Sequence, residues 1–139
     1  MDTVEFLGRT ALFSGLSRDD LRSVVGTAKQ RSFEAGATII RQGHEGGRGF
    51  YLLLGGAAEA RRGDRVLDTF GPGDYFGEMA LLLDDTPRTA DVVATDDTKC
   101  LVVTQWDLKA LITAHPEIGV RMMAELARRL RDTDQTLQE

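Results

Sequence analysis

Phe76-Gly77-Glu78-Met79-Ala80-Leu81-Leu82-Leu83-Asp84-Asp85-Thr86-Pro87-Arg88-Thr89-Ala90 is the stretch from which the rest of the chain can be read. A glycine and a carboxylate open a short apolar turn of helical character. An arginine follows ten residues after the carboxylate, directly behind a proline. A phosphate requires backbone N–H donors and positive charge, and a helix N-terminus supplies the donors. A sugar hydroxyl requires an acceptor, and an ionised glutamate offers only acceptors. One compact segment therefore carries the parts for a ligand with both a phosphate and a ribose.

The segment sits in a glycine-punctuated middle. Short strand-like runs fall at Thr38–Ile40, Phe50–Leu54, Val66–Phe70, Ala90–Ala94 and Cys100–Val103, separated by turn signals. Strands at this frequency predict a sandwich or small barrel, and Asp64 in Arg61-Arg62-Gly63-Asp64-Arg65 predicts a hairpin turn. Helical spacing brackets this middle. Phe6, Leu7, Ala11 and Leu12 suggest a short helix between Val4 and Phe13. Ser17 is placed to cap a second helix carrying Leu21, Val24, Val25 and Ala28. Helical character returns at Gln105, and Trp106 is expected to pack at the start of that short element. Pro116 opens a final helix at its first position, where a missing N–H costs nothing. Met123, Leu126, Leu130, Thr133 and Leu137 follow 3-4-3-4 spacing along it, which predicts one stripe.

The expected fold is thus mainly β with flanking helices (α+β): a β-sandwich or jelly-roll barrel with N-terminal helices and a long C-terminal helix. It is read as one domain over 1–139. Helices occupy about 4–30, a β-roll about 31–104 and C-terminal helices about 105–139, with the quoted segment at 76–90 inside the roll.

Bulk properties exclude several classes. The chain has 139 residues, 42% of them hydrophobic and 28% charged, as in an ordinary globular domain large enough to bury a core. No apolar run approaches the ~18 residues of a membrane span. The opening Met1-Asp2-Thr3-Val4-Glu5 lacks the basic-then-apolar pattern of a secretory signal. The single Cys100 excludes an internal disulfide and a cysteine-based metal site, so a reducing, cytoplasmic setting is expected, with no membrane. A net charge of −5 argues against direct nucleic-acid contact, which phosphate neutralisation drives. The clustered Arg128, Arg129 and Arg131 are read as a solvated helix face.

Phe76-Gly77-Glu78-x-Ala80-Leu81 followed by Pro87-Arg88-Thr89-Ala90 resembles the phosphate-binding cassette of cyclic-nucleotide-binding domains. Such domains occur in catabolite activators, kinase regulatory subunits and gated channels. Gly36-x-x-Ile39-Ile40-Arg41-Gln42-Gly43 and Phe50-Tyr51-Leu52-x-x-Gly55-Gly56 match in register. The final helix, from His115-Pro116-Glu117-Ile118 to Thr133, is similar to the dimerisation helix of the catabolite activators. There a DNA-reading part follows, which has no counterpart before Glu139.

The resemblance implies residue roles. Arg88 would meet the exocyclic oxygens of a cyclic phosphate in charge-assisted hydrogen bonds. Glu78 would accept the ribose 2′-hydroxyl, and Gly77 would let backbone approach the ligand. The N–H groups of Met79 and Ala80 would face the phosphate. Thr89 would add a hydroxyl to phosphate or base without deciding the base, and Thr133 aligns with a hydroxyl that approaches the adenine amino group. Leu52 or Leu53 would form an apolar wall. The ligand implied is cyclic AMP, with cyclic GMP as the alternative. No cofactor, metal ligand or catalytic residue is expected.

Rival classes find less support. A metal-dependent enzyme on a similar barrel needs clustered His and carboxylates, and His44 and His115 are far apart in sequence; each is read as a turn or cap residue. Two further alternatives are a piece of a larger transcription regulator or channel, and a related sensor of another ligand. Otherwise the expectation is a regulatory module that is not an enzyme and signals allosterically through its C-terminal helix. Its expected partners are a homodimer mate through that helix and an effector protein not named by the sequence.

Overall fold

The computed structural model describes residues 2–41, 49–77 and 90–138, with side chains through Asp132. Two N-terminal helices, α1 (Thr3–Arg9) and α2 (Arg18–Thr27), precede eight strands. These are β1 (Lys29–Phe33), β2 (Thr38–Ile40), β3 (Gly49–Gly55), β4 (Ala58–Arg62), β5 (Arg65–Phe70), β6 (Tyr75–Phe76), β7 (Asp91–Ala94) and β8 (Thr98–Thr104). Two further helices, α3 (Gln105–Ala114) and α4 (Pro116–Gln138), close the described chain. The strands form two antiparallel four-stranded sheets, in the orders β1-β8-β3-β6 and β2-β7-β4-β5. This is the jelly-roll sandwich with flanking helices that the sequence predicts.

Helix starts follow local chemistry. Asp2, Ser17 and Thr104 each accept a hydrogen bond from the backbone N–H three residues on, at 2.8, 3.1 and 3.1 Å. The first helix is shorter than its apolar pattern predicts. It ends at Arg9, where Thr10 turns extended and donates its hydroxyl to the Leu7 carbonyl at 2.7 Å. Leu12 and Phe13 are buried from the following turn instead. His115 caps α3, its N–H meeting the Leu111 carbonyl at 2.8 Å.

Three strands escape the sequence pattern. β1 is Lys-Gln-Arg-Ser-Phe and β4 is Ala-Glu-Ala-Arg-Arg, neither an apolar run. Pairing creates them: β1 lies against β8, and β4 is held between β5 and β7. β6 is two residues long and takes its register from β3. The β4–β5 hairpin forms as predicted, with Gly63-Asp64 as its two-residue loop. Gly63 has φ +61° and Asp64 does not have positive φ, which is the type II′ pattern.

β3 explains the core. Its run from Gly49 to Leu53 is buried on both faces, as expected of a strand covered by layers on either side. Phe50 and Leu52 face a cluster with Leu7, Phe13, Leu21, Val24, Leu108, Ile118 and Met122 from the helices. Tyr51 and Leu53 face the opposite sheet and pack with Ile40, Ala58, Phe70, Phe76, Val92 and Cys100. β8 repeats the division: Leu101 and Val103 serve the helices, Cys100 and Val102 the inter-sheet layer. Period-2 alternation thus serves two cores from one strand.

The stripe predicted on the last helix divides in two. Ile118, Met122 and the part-buried Leu126 pack on the helix-side core. Val120, Met123 and Leu130 are 59%, 63% and 65% exposed. Leu126 therefore does not share the outer face of Met123 and Leu130. Trp106 also departs from expectation. It is 71% exposed, with Lys109 Nζ 5.7 Å from its ring centroid.

Candidate functional site

The candidate site begins where β6 leaves its sheet. Asp74 folds the approach to it: its carboxylate accepts from Gly71 N–H at 2.8 Å, and its own N–H meets the Gly71 carbonyl at 3.0 Å. The turn is then pinned to β3. Gly73 N–H reaches the Leu53 carbonyl and Leu53 N–H reaches the Asp74 carbonyl, both at 2.9 Å. Tyr75 and Phe76 follow, paired with Leu52 and Tyr51.

Alternation sends these two rings apart. Tyr75 enters the helix-side core, 5.1 Å from the Phe50 ring. Phe76 enters the inter-sheet core, stacked on Tyr51 at 5.2 Å with planes 8° apart and 5.0 Å from Phe70. Two aromatic anchors fix the end of β6 immediately before Gly77. Gly77 has φ +94°, a conformation in which a side chain is strained. The backbone therefore calls for glycine at this position.

Glu78, Met79, Ala80, Arg88 and Thr89 lie outside the described residues. Their flanks are defined: Gly77 leaves one sheet, and β7 begins at Asp91 in the other. Of the two apolar wall candidates, Leu53 faces the inter-sheet layer and Leu52 the helices.

The terminal helix passes over this region. The Arg129 guanidinium carbon stands 5.4 Å from the Tyr75 ring centroid. Arg129 is therefore part of the inward face of α4, not of a solvated arginine face. The signal was its position: Ile118, Met122, Leu126 and Arg129 are spaced four, four and three apart. Position 133 continues that spacing one turn on, within α4.

Away from this region, a groove of about 720 Å³ is lined by Ser32, Phe33, Glu34, Leu54, Gly55, Gly56, Asp97, Thr98 and Lys99. It lies at the Gly55 end of β3, whereas Gly77 follows residues paired near the strand's start. The groove contains none of the sequence-predicted site residues. Among the described residues no group of three or more His, Cys, Asp or Glu could hold a metal ion. None of the helices among the described residues is long and apolar enough to cross a membrane. The buried Cys100 thiol is pushed up to about 11 by desolvation, which keeps it protonated at neutral pH.

A family model described as "Cyclic nucleotide-binding domain" matches residues 30–115. The chain belongs to the cyclic nucleotide-binding domain family. That span covers both sheets except for Lys29 at the start of β1, and the segment between Gly77 and Asp91. The cyclic AMP receptor protein of Thermus thermophilus is 36% identical over 128 residues, covering 88% of this chain and 58% of the relative. A cAMP-dependent protein kinase regulatory subunit from Colletotrichum orbiculare is 38% identical over 97 residues, covering 68% of this chain and 24% of the relative. The crystal structure of the Thermus thermophilus catabolite activator protein superposes with a TM-score of 0.82 at 35% identity, over 93% of this chain and 62% of that one. The chain thus spans about three fifths of the bacterial receptor's length, and about a quarter of the kinase subunit's.

Proposed function

We propose that this cyclic nucleotide-binding domain is a receptor for cyclic AMP that regulates a partner and performs no chemistry itself. The observation that carries the proposal is the junction at Gly77. Two buried aromatic residues fix the strand end, and the backbone turns at φ +94° directly before Glu78. The names of the relatives, a cyclic AMP receptor and a cAMP-dependent kinase regulatory subunit, support the choice of ligand.

In this proposal Arg88 pairs with the cyclic phosphate, and the N–H groups of Met79 and Ala80 complete its cradle. Glu78 accepts the ribose hydroxyl, Thr89 lends a hydroxyl near the phosphate, and Thr133 reads the adenine amino group from α4. Ligand at the cassette then biases the position of α4, which reports to an effector. The exposed Val120, Met123 and Leu130 provide a face for a second copy of the chain. By linkage, an effector that prefers the bound state tightens nucleotide binding by the same factor.

Competition binding between cyclic AMP and cyclic GMP tests the ligand. Tighter cyclic AMP binding is expected. Clearly tighter cyclic GMP binding would reject the adenine assignment, and absence of binding to either would reject the receptor.

A further inference from the structure

β1, β8 and β3 lie side by side, and the groove of about 720 Å³ opens where they reach one end of their sheet. Small-molecule sites typically measure ~300–1,000 Å³, so the groove is large enough to hold a ligand. β8, the middle strand, contributes Asp97–Lys99. The end of β1 with Glu34 flanks it on one side, and Leu54–Gly56 on the other. These walls are fixed before anything binds. The Asp97 carboxylate accepts from Ala35 N–H at 3.0 Å, and the buried Thr98 hydroxyl engages both backbone groups of Ala57. Gly56 lies too close to Asp97 to admit a Cβ. A preformed wall lowers the ordering cost of binding.

Lys99 and Glu34 are exposed and oppositely charged, yet neither enters an ion pair among the described residues. Lys99 is the register partner of Ser32, and Glu34 follows two residues on, at most ~7 Å further along the chain at ~3.3–3.6 Å per residue. Phe33 and Leu54 are half-buried, one packed on each core at the groove's edge. Gly55 and Gly56 bring no side chain, so their wall is bare backbone, which carries both donors and acceptors. The space beside Gly55 is open: a Cβ there would meet nothing within 4 Å.

We propose that this groove is a ligand site separate from the cassette, for a short apolar peptide of two or three residues with free ends. The peptide's ammonium meets Glu34 and its carboxylate meets Lys99. Its backbone runs along Gly55 and Gly56, and an apolar side chain rests on Phe33 and Leu54. A free amino acid carries both charges on one carbon and spans less of the groove. The site does not depend on the cyclic-nucleotide reading.

Titration of the nucleotide-free full chain with the dipeptide leucyl-leucine, followed by amide NMR shifts, tests the site. Saturable shifts are expected at Phe33, Gly55, Gly56 and Lys99 by about 10 mM, well above a millimolar dissociation constant. Lys99→Ala and Glu34→Ala should each weaken binding by about 3- to 5-fold, the upper range for an exposed ion pair. Gly55→Leu, which fills the open space, should weaken it by about 10-fold or more. The dipeptide acetylated and amidated at its ends should bind at least about 10-fold more weakly than the free one, and so should leucine. No saturable shift at these amides in the parent, or parent-like binding by a folded Gly55→Leu, would overturn the site. Parent-like binding by both charge variants, or equal binding of the capped dipeptide, would overturn the pairing with the peptide's ends. Leucine binding as tightly as the dipeptide would overturn the peptide assignment. If Gly55→Leu does not fold, the two charge variants and the capped dipeptide decide the proposal.

Discussion

Gly56 lays its bare α-carbon against the carbonyl of Asp97: a Cβ at this position would stand 2.3 Å from that oxygen. Thr98 locks the two turns together, its hydroxyl donating to the Ala57 carbonyl at 2.9 Å and accepting from Ala57 N–H at 3.2 Å. Gly15 has nearly the same φ, +91° against +92°, but the atom a Cβ would meet is Arg121 Nη2 at 2.7 Å. A guanidinium at the end of a flexible chain can move aside, whereas a backbone carbonyl within a locked turn cannot. Gly15→Ala should therefore cost about 1–2 kcal/mol, mainly for positive φ. Gly56→Ala should cost at least about 1 kcal/mol more, because the two turns must separate. Denaturant unfolding of the two variants checks this, and equal costs would contradict it.

Cys100 makes stability depend on alkaline pH. Its thiol is pushed up to about 11 in the fold, above an unfolded value of 9.0. Below about pH 9 neither state ionises, and the contribution is fully present. Between about 9 and 11 the unfolded chain loses the proton and the folded one keeps it, so stability falls as pH rises, by on the order of 3 kcal/mol in total. The difference between parent and Cys100→Ala in chemical unfolding should shrink or reverse across this window. A pH-independent difference would show that burial does not hold the thiol neutral.

The two faces of α4 should respond differently to a carboxylate. Leu130→Asp places charge on an exposed position and should leave the monomer folded while weakening self-association. Leu126→Asp places it against the helix-side core and should lower stability itself, by about 2 kcal/mol or more. Sedimentation and thermal unfolding separate the two effects. A parent chain that stays monomeric at about 100 μM, well above a micromolar dissociation constant, would eliminate self-association through this face.

β3 and β8 are legible because their apolar runs are local, and Ser17 and Pro116 mark helix starts by chemistry confined to one turn. β1 and β4 are not legible: their polar residues become strands only because β8, β5 and β7 offer them edges. Trp106 illustrates the converse, a large apolar side chain left exposed because α3 presents that position outward. The proposed cassette is written contiguously from Phe76 to Ala90, so its reading needs only local sequence, whereas Thr133 is added to the proposal from a distant helix. Arg129 could not be assigned in that way. Its neighbours Arg128 and Arg131 suggested a solvated face, and its contact with Tyr75 depends on how α4 crosses β6.

The receptor proposal rests most directly on Arg88. Calorimetric titration of the parent and of Arg88→Ala with cyclic AMP measures its contribution, with Glu78→Gln as a milder comparison that keeps an acceptor and loses the charge. The parent should bind, and Arg88→Ala should lose about 2–4 kcal/mol, roughly 30- to 1000-fold in affinity, with Glu78→Gln losing less. Cyclic AMP binding to Arg88→Ala as tight as to the parent would contradict the account.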